Sequence, residues 1–248
     1  NYIAGLDLAK KTIKKLIILT LMHTNILRRL RKKKKGVLLF GPPGTGKTMI
    51  GKAIAHESKS TFFSISSSTL TSKWVGEGEK MVKTLFALAK IHQPSVVFID
   101  EIDSLLCARN ENDQEGSRRI KTEFMVHFGG ARSEDDDRIL IIGATNRPEE
   151  LDEAVRRRLE KRLYIPLPNK EGRKIFINNM IESEKKSGVN IDVSEDDINS
   201  IVDLTKGYSG ADLRSLCTEA AMVPLRSVEN ILEIDPENIR GVNLDDFK

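Results

Sequence analysis

Residues 41–48 read Gly-Pro-Pro-Gly-Thr-Gly-Lys-Thr, and this segment constrains the chain more than any other feature. An apolar run at 36–40 precedes it, and a helical pattern follows directly. The order strand, glycine-rich loop, helix is the context in which the motif G-x-x-x-x-G-K-[ST] binds phosphate. Backbone N–H groups and the positive end of the helix would surround the phosphate oxygens. We expect Lys47 to reach the β- and γ-phosphates of a nucleotide and Thr48 to bind Mg²⁺.

A second motif, at residues 95–101, reads Ser-Val-Val-Phe-Ile-Asp-Glu. Its continuous apolar run predicts a buried parallel strand, and the C-terminal end of such a strand faces the ligand crevice. We expect Asp100 to hold Mg²⁺, because this cation takes oxygen ligands. Glu101 would polarise the water that attacks the γ-phosphate. The alternative is that the two acids only cap a helix that begins near Ile102.

The patterns along the chain predict an α/β fold with two domains. Strand patterns at 37–40, 61–65, 95–99, 139–143 and 162–165 alternate with helical patterns, which predicts a parallel five-stranded sheet covered by helices on both faces. Only helical patterns follow Lys170, and Ser194 and Asp197 are spaced as a capping box. We therefore assign 1–168 to a large nucleotide-binding domain and 169–248 to a small helical lid domain.

Composition bears on the partners of the protein and on the compartment in which we expect it. The formal net charge is only +4, which neither requires nor excludes a nucleic-acid partner. The two cysteines, Cys107 and Cys217, have no metal or disulfide spacing and predict reduced thiols in the nucleus or cytoplasm. No apolar stretch approaches the ~18 residues of a membrane helix, so we expect no membrane insertion. Because the chain starts abruptly at Asn1, we expect it to be a fragment of a longer protein.

Four motifs together resemble the ATPase module of AAA proteins. They are GPPGTGKT at 41–48, FIDEIDSL at 98–105, GATNRPEELDEAVRRRL at 143–159 and GYSGADL at 207–213, so the resemblance covers essentially the whole chain. Residues 70–80 and 224–226 are similar to the meiotic branch, which holds katanin, spastin, fidgetin and the ESCRT-disassembling ATPase. Residues 156–168 are most similar to fidgetin-like proteins, with spastin next.

The resemblance implies an ATPase that uses Mg²⁺ and works as a homo-hexamer. It makes Asn146 the sensor of the γ-phosphate, with a simple turn residue as the alternative. It makes Arg157 and Arg158 arginine fingers that act on the ATP of a neighbouring subunit; an exposed cationic edge is the alternative. The nucleotide-binding positions that it implies are Ala4, Gly44, Thr45, Gly46, Lys47, Thr48, Met49, Gly210 and Ala211.

The resemblance also implies how a protein substrate is held. Lys73, Trp74 and Val75 match the first pore loop, although a single tryptophan is more often a core residue. Residues 109–119 match the second pore loop, and the Arg118-Arg119 pair suits an acidic peptide such as a tubulin tail. An ion-pair ladder on the following helix is the alternative for this pair.

Two departures from the family pattern concern the packing of subunits. Gly129 stands where relatives usually carry an acidic residue, and the connector 28–35 is polybasic where relatives carry Gly-Pro-Pro. The chain also ends at Lys248, where the family begins a helix that braces the ring. We therefore expect ATP binding to be preserved and the isolated fragment to be a monomer.

Three classes of function are consistent with the phosphate loop. The motifs favour an ATP-driven enzyme that dismantles protein polymers, either microtubules or recombinase filaments. A GTPase-like switch would not need Asn146, paired arginines and a helical lid. A nucleic-acid-stimulated motor predicts activation by polynucleotide instead of protein, and we do not expect direct nucleic-acid binding.

Overall fold

The computed structural model describes residues 36–67, 77–107, 115–128, 137–226 and 239–248. They form two compact units. Apart from the gaps just given, one unit contains 36–41 with Lys47–Ile165, and the other contains Pro42–Gly46 with Pro166–Lys248. The helical pattern at 7–30 and the basic connector at 28–35 lie outside the described residues.

The described residues contain the five-stranded parallel sheet that the sequence predicts. Its strands are β1 (Gly36–Phe40), β2 (Thr61–Ser66), β3 (Ser95–Asp100), β4 (Ile139–Thr145) and β5 (Lys161–Tyr164), in the order β2-β3-β4-β1-β5. Every residue of β4 is buried, and so is every residue of β3 before Asp100. Because successive side chains of a strand point to opposite faces, helices must cover both faces of the sheet.

The unit that contains the sheet also contains helices α1 (Lys47–Glu57), α2 (Glu77–Ile91), α3 (Ile102–Leu106), α4 (Glu115–His127) and α5 (Glu153–Arg158). Helices α2 and α4 contribute Phe86 and Phe124 to one core, where the two rings meet edge to face with centroids 6.0 Å apart. Helix α1 packs closely on β3 because Gly51 has no side chain: a Cβ there would lie 2.4 Å from Cδ2 of Phe98. This contact fixes the start of α1 relative to β3.

The second unit is helical, as the sequence predicts. It contains α6 (Lys170–Lys186), α7 (Glu195–Leu204) and α8 (Gly210–Arg226), which bury Ile177, Val202 and Leu213 in a common core. The predicted capping box of α7 is confirmed: the N–H of Asp197 donates to Oγ of Ser194 (3.2 Å), and the N–H of Ser194 donates to Oδ2 of Asp197 (3.0 Å). No helix among the residues described has the length and apolar character needed to cross a membrane.

The ion pair between Arg240 and Asp246 stabilises the C-terminal part of this unit. The side chain of Asp246, in the short 3₁₀ helix Leu244–Phe247, is only 4% exposed. It accepts hydrogen bonds from Nη1 and Nη2 of Arg240 at 2.7 and 2.6 Å and from the N–H of Asn243 at 2.9 Å. The hydrogen bond from Arg240 is the main reason that the pKa of Asp246 lies below its ordinary value. The ionised carboxylate therefore stabilises the folded unit.

We expect Asp246→Asn to lower the Tm at pH 7 by roughly 2–4 °C. Because the folded state lowers the pKa of Asp246, its contribution is fully present above the unfolded pKa of about 4 and is lost as the pH falls through the lower pKa of the folded state. Thermal unfolding followed by circular dichroism should therefore show a difference in Tm between the two proteins that is largest at pH 7 and shrinks as the pH falls below about 4. Asp203→Asn is the matched control, because that carboxylate is 64% exposed and its ion pair is with Lys170, which is also exposed. A Tm at pH 7 equal to that of the unmodified chain would contradict the assignment for Asp246.

Candidate functional site

The loop between β1 and α1 has the backbone shape that the motif predicts. Gly44 and Gly46 adopt φ angles of +72° and +84°, a left-handed conformation that residues with a side chain rarely adopt. Within the part of the chain that the structure describes, a Cβ on Gly46 would meet no atom within 4 Å. The hydroxyl of Thr45 donates to the carbonyl of Pro42 (3.0 Å) and supports the turn. Such a loop can take an anion at the helix N-terminus.

Lys47 is the first residue of α1 and is only 8% exposed. Its Nζ donates to the carbonyl of Gly41 (2.9 Å), which keeps the ammonium group next to the loop. Burial lowers the pKa of Lys47 from its ordinary value, while the nearby carboxylate of Asp100 acts in the opposite direction. A partly desolvated cation in this position interacts strongly with phosphate, because less water screens its charge.

Thr48 and Asp100 are 52 residues apart in sequence and meet directly. The hydroxyl of Thr48 donates to Oδ2 of Asp100 at 2.8 Å, and the N–H of Glu101 donates to Oδ1 of Asp100 at 3.1 Å. Two oxygen ligands are thus held side by side next to the phosphate loop. Mg²⁺ commonly takes one or two protein oxygens and completes its shell with phosphate oxygens and water. The residue types and their positions fit this ion.

Glu101 follows β3 with φ 49° and ψ 46°, the left-handed region, which is uncommon for a residue with a side chain. It occupies the N-cap position of α3, but its side chain makes no capping hydrogen bond and is exposed. The carboxylate is therefore free of the helix-capping role that was the alternative interpretation. A backbone held in an unfavourable conformation directly beside Asp100 favours a chemical role for Glu101.

Asn146 follows the last residue of β4 and is exposed. In the sheet, β4 lies between β3 and β1, with Phe40 opposite Thr145 and Ile99 opposite Gly143. Because the strands are parallel, the residues after all three strands emerge at one edge of the sheet. Asn146 is thereby placed at the same edge as Gly41 and Asp100.

The two arginines predicted as fingers are not brought to this edge. Both lie at the end of α5, where Arg157 is 75% exposed and pairs with Glu153 at 2.5 Å. Arg158 donates from Nη1 to Sδ of Met125 at 3.5 Å. The carbonyl of Arg158 lies beside Gly36 at the opposite end of β1, since a Cβ on that glycine would be 2.6 Å from it.

Within the helical unit, the start of α8 lies against the tip of the phosphate loop. The N–H of Ala211 donates to the carbonyl of Gly44 (3.1 Å), and a Cβ on Gly44 would lie 2.4 Å from Oγ of Ser209. Ser209 and Asp212 pair at the start of the same helix, with the N–H of Ser209 donating to Oδ2 of Asp212 at 2.8 Å. Gly210 and Ala211, which the sequence predicts as nucleotide-binding positions, thus lie next to Gly44 of the loop motif.

Several predicted residues give less information. Met49 is on α1 and is 43% exposed. Ala4, Lys73, Trp74 and Val75 lie outside the described residues, as do 109–114 of the second pore-loop prediction.

Arg118 and Arg119 lie in α4, and the charge of Arg119 contributes, after Lys83, to lowering the pKa of Glu79. This contribution agrees with the ion-pair alternative for Arg119.

Sequence reasoning missed two residues close to the predicted catalytic set. Asp103 and Thr145 are joined by a hydrogen bond of 2.6 Å between their side chains. The signal was present, because Asp103 is the third acid of FIDEID and Thr145 directly precedes Asn146. The sequence pattern alone did not predict a hydrogen-bond partner for either residue.

Two protein-family models match the chain. The model described as ATPase family associated with various cellular activities (AAA) matches residues 37–167, and the model of the AAA+ lid domain matches 195–240. The first match alone covers more than half of the 248 residues. The two matches follow each other along the chain in the predicted order.

Curated relatives match over nearly the whole chain. Fidgetin-like protein 1 of Xenopus tropicalis is 54% identical over 248 residues, which are 99% of this chain and 37% of the relative. Fidgetin-like protein 1 of Homo sapiens is 53% identical over 248 residues, 99% of this chain and 36% of the relative. The chain therefore spans little more than a third of the length of these relatives. The crystal structure of the FIGL-1 AAA domain in complex with ADP is 52% identical, with a TM-score of 0.88 over 99% of this chain and 80% of that chain.

We expect Lys47→Ala to abolish nucleotide binding, because it removes the buried cation beside the loop. Glu101→Gln should keep binding, since the loop is intact, and should lower ATP turnover by about 100-fold or more. Fluorescent-nucleotide titration and phosphate release measure the two effects separately. Lys52→Ala, an exposed lysine on the same helix, is the matched control and should change neither. An equal loss of binding in Lys47→Ala and Glu101→Gln would contradict the role assigned to Glu101.

Proposed function

The chain belongs to the AAA ATPase family, and we propose that it works as a ring of identical copies that uses ATP hydrolysis to pull on and disassemble a protein polymer. By analogy with the family, the ring is a hexamer. The observation that supports the proposal is the Thr48–Asp100 hydrogen bond, because it brings together two oxygen atoms of the type that Mg²⁺ binds at the end of the phosphate loop. Nucleotide binding and ATP hydrolysis follow from membership of the family, whereas ring assembly and the action on a protein polymer are our proposal.

The roles within one copy follow from the placement of the side chains. Lys47 binds the β- and γ-phosphates, and the Thr48–Asp100 pair holds Mg²⁺, whose charge offsets that of the phosphate oxygens. Glu101 accepts a proton from the attacking water, because its carboxylate is exposed and makes no capping bond. Asn146 hydrogen-bonds the γ-phosphate or this water from the neighbouring strand end.

The position of the arginines supports a ring. The carbonyl of Arg158 lies beside the first residue of β1, whereas Gly41 follows the last residue of this strand. A strand of five residues is about 16 Å long. Arg157 and Arg158 therefore start roughly one strand length from the phosphate loop of their own chain. A second copy that brings its own pair to this ATP supplies the missing positive charge at the transferring phosphoryl group.

The substrate proposal rests on the first pore loop and on the fidgetin-like relatives. In a ring, Lys73, Trp74 and Val75 of each copy face the central channel and grip an extended peptide. Tubulin tails in microtubules and a recombinase filament on DNA are the two candidate polymers. Indole rings supply a large rigid apolar surface, so the grip needs little sequence specificity.

We expect Trp74→Ala to abolish filament disassembly while basal ATP turnover stays within about threefold, because every phosphate contact is unchanged. Trp74→Tyr should retain much of the disassembly activity, since an aromatic face is preserved. Turbidity of microtubules and light scattering of recombinase filaments, each with added ATP, measure disassembly in separate assays. The assay that responds identifies the polymer.

Three results would contradict the proposal. A large fall in Tm of Trp74→Ala without nucleotide would make Trp74 a core residue. Unchanged disassembly by Trp74→Ala would remove the pore loop from the mechanism. ATP turnover stimulated by naked DNA but not by either filament would favour a nucleic-acid motor.

A further inference from the structure

The hydroxyl of Thr145 connects two turns that carry predicted catalytic residues. Thr145 is the last residue of β4 and is only 2% exposed. Its Oγ1 donates to Oδ1 of Asp103 at 2.6 Å, and it accepts from the N–H of Arg147 at 2.9 Å. The second bond spans Asn146, so one hydroxyl fixes the turn in which this residue lies.

The partner of this hydroxyl lies just after the other catalytic group. Asp103 is in the first turn of α3, two residues beyond Glu101. Helix α3 has only five residues, and the left-handed backbone at Glu101 is unfavourable without support from its surroundings. A short hydrogen bond from a buried hydroxyl to a carboxylate provides such support, because hydrogen bonds to charged groups are stronger than neutral ones.

Two hydroxyl groups in this region, those of Thr145 and Ser104, donate to different acceptors. A hydroxyl has one hydrogen to donate, and that of Thr145 goes to Asp103, 42 residues away in sequence. The hydroxyl of Ser104 donates instead to the carbonyl of Glu101 at 2.8 Å. The turn at Glu101 is thus held from within α3, and the Asp103–Thr145 bond joins it to the turn at Asn146.

We propose that Asp103 and Thr145 are a positioning pair that keeps Glu101 and Asn146 in a fixed relation to each other during ATP hydrolysis. Neither residue of the pair needs to touch nucleotide or Mg²⁺. The pair acts through Glu101, which activates water, and through Asn146, which orients the water or the γ-phosphate. The inference therefore rests on the roles proposed above for these two residues. A shift of about 1 Å between such groups can cost about 100-fold in rate without changing binding.

The substitution that tests the pair is Thr145→Val, which keeps the branched shape and removes the hydroxyl. We expect kcat for ATP to fall by about 10- to 100-fold, measured at a protein concentration where activity per copy has reached its plateau. The Kd for ATP should stay within about threefold, because Lys47 and the loop are unchanged. Thr145→Ser restores the hydroxyl and should recover most of the lost kcat.

A matched control separates positioning from general stability. Ser95 is fully buried at the opposite end of β3, and its hydroxyl donates to the carbonyl of Ala89 at 2.8 Å. Ser95→Ala removes a comparable buried hydrogen bond far from Glu101 and should lower the Tm while kcat stays unchanged. The double substitution Thr145→Val with Asp103→Ala should lower kcat little beyond Thr145→Val alone, because the first removes the donor and the second the acceptor of the same hydrogen bond.

Several results would overturn the inference. They are a kcat of Thr145→Val no lower than that of Ser95→Ala, a failure of Thr145→Ser to recover activity, and effects of Thr145→Val and Asp103→Ala that multiply. If Thr145→Val does not fold, Asp103→Ala and Thr145→Ser decide the question by the same kcat and Kd measurements. Normal turnover in Glu101→Gln would overturn both this inference and the proposed catalytic roles. Loss of turnover in Glu101→Gln with normal turnover in Thr145→Val would overturn this inference alone.

Discussion

The hydrogen bond from Thr48 to Asp100 is the interaction on which the catalytic arrangement depends. It joins the first turn of α1 to the end of β3, so that the phosphate loop and the acidic pair share one edge of the sheet. The close packing of Gly51 on Phe98 keeps the same helix against the same strand. Parallel pairing then adds the end of β4, with Asn146, to that edge. The chemistry therefore follows from the way helix and strands pack.

In our proposal, phosphoryl transfer uses two kinds of positive charge, and they lie at opposite ends of β1. Lys47 is buried at the carboxyl edge, where its charge is poorly screened. Arg157 and Arg158 lie at the other end of β1, exposed or half-buried at the end of a short helix. In our proposal this separation is functional. A single copy binds ATP, and a second copy completes the charge balance, so hydrolysis is tied to assembly.

The sequence was sufficient where the determinants are local. Apolar runs predicted β1, β3 and β4 to within two residues, because buried parallel strands must be apolar on both faces. Alternating patterns predicted the less buried strands β2 and β5 to within one residue. Ser194 and Asp197 predicted the start of α7 through their side-chain capping bonds. The glycines of the loop and the two acids predicted Lys47, Thr48, Asp100 and Glu101 as a group, and the structure brings them together.

The sequence was insufficient where partners are distant. Nothing local shows that Thr145 bonds Asp103, since 42 residues separate them and they meet only through the pairing of β3 with β4 and the helix that follows β3. The contact of Ala211 with Gly44 likewise depends on tertiary packing. The left-handed backbone of Glu101 could not be foreseen, because glutamate rarely adopts it. Such exceptions to local preference are expected at functional sites, where surrounding structure supports an unfavourable conformation.

The central claim, that a second copy completes each ATP site, is tested most directly by mixing two inactive variants. Arg157→Ala keeps an intact ATP site and lacks the finger, whereas Lys47→Ala lacks the ATP site and keeps the finger. Phosphate release is measured for each variant alone and for equal mixtures over a range of total concentration. Our account predicts that the mixture is more active than the sum of its parts, with activity per copy rising with concentration. A mixture no more active than that sum, at concentrations where light scattering shows the copies to be assembled, would contradict it.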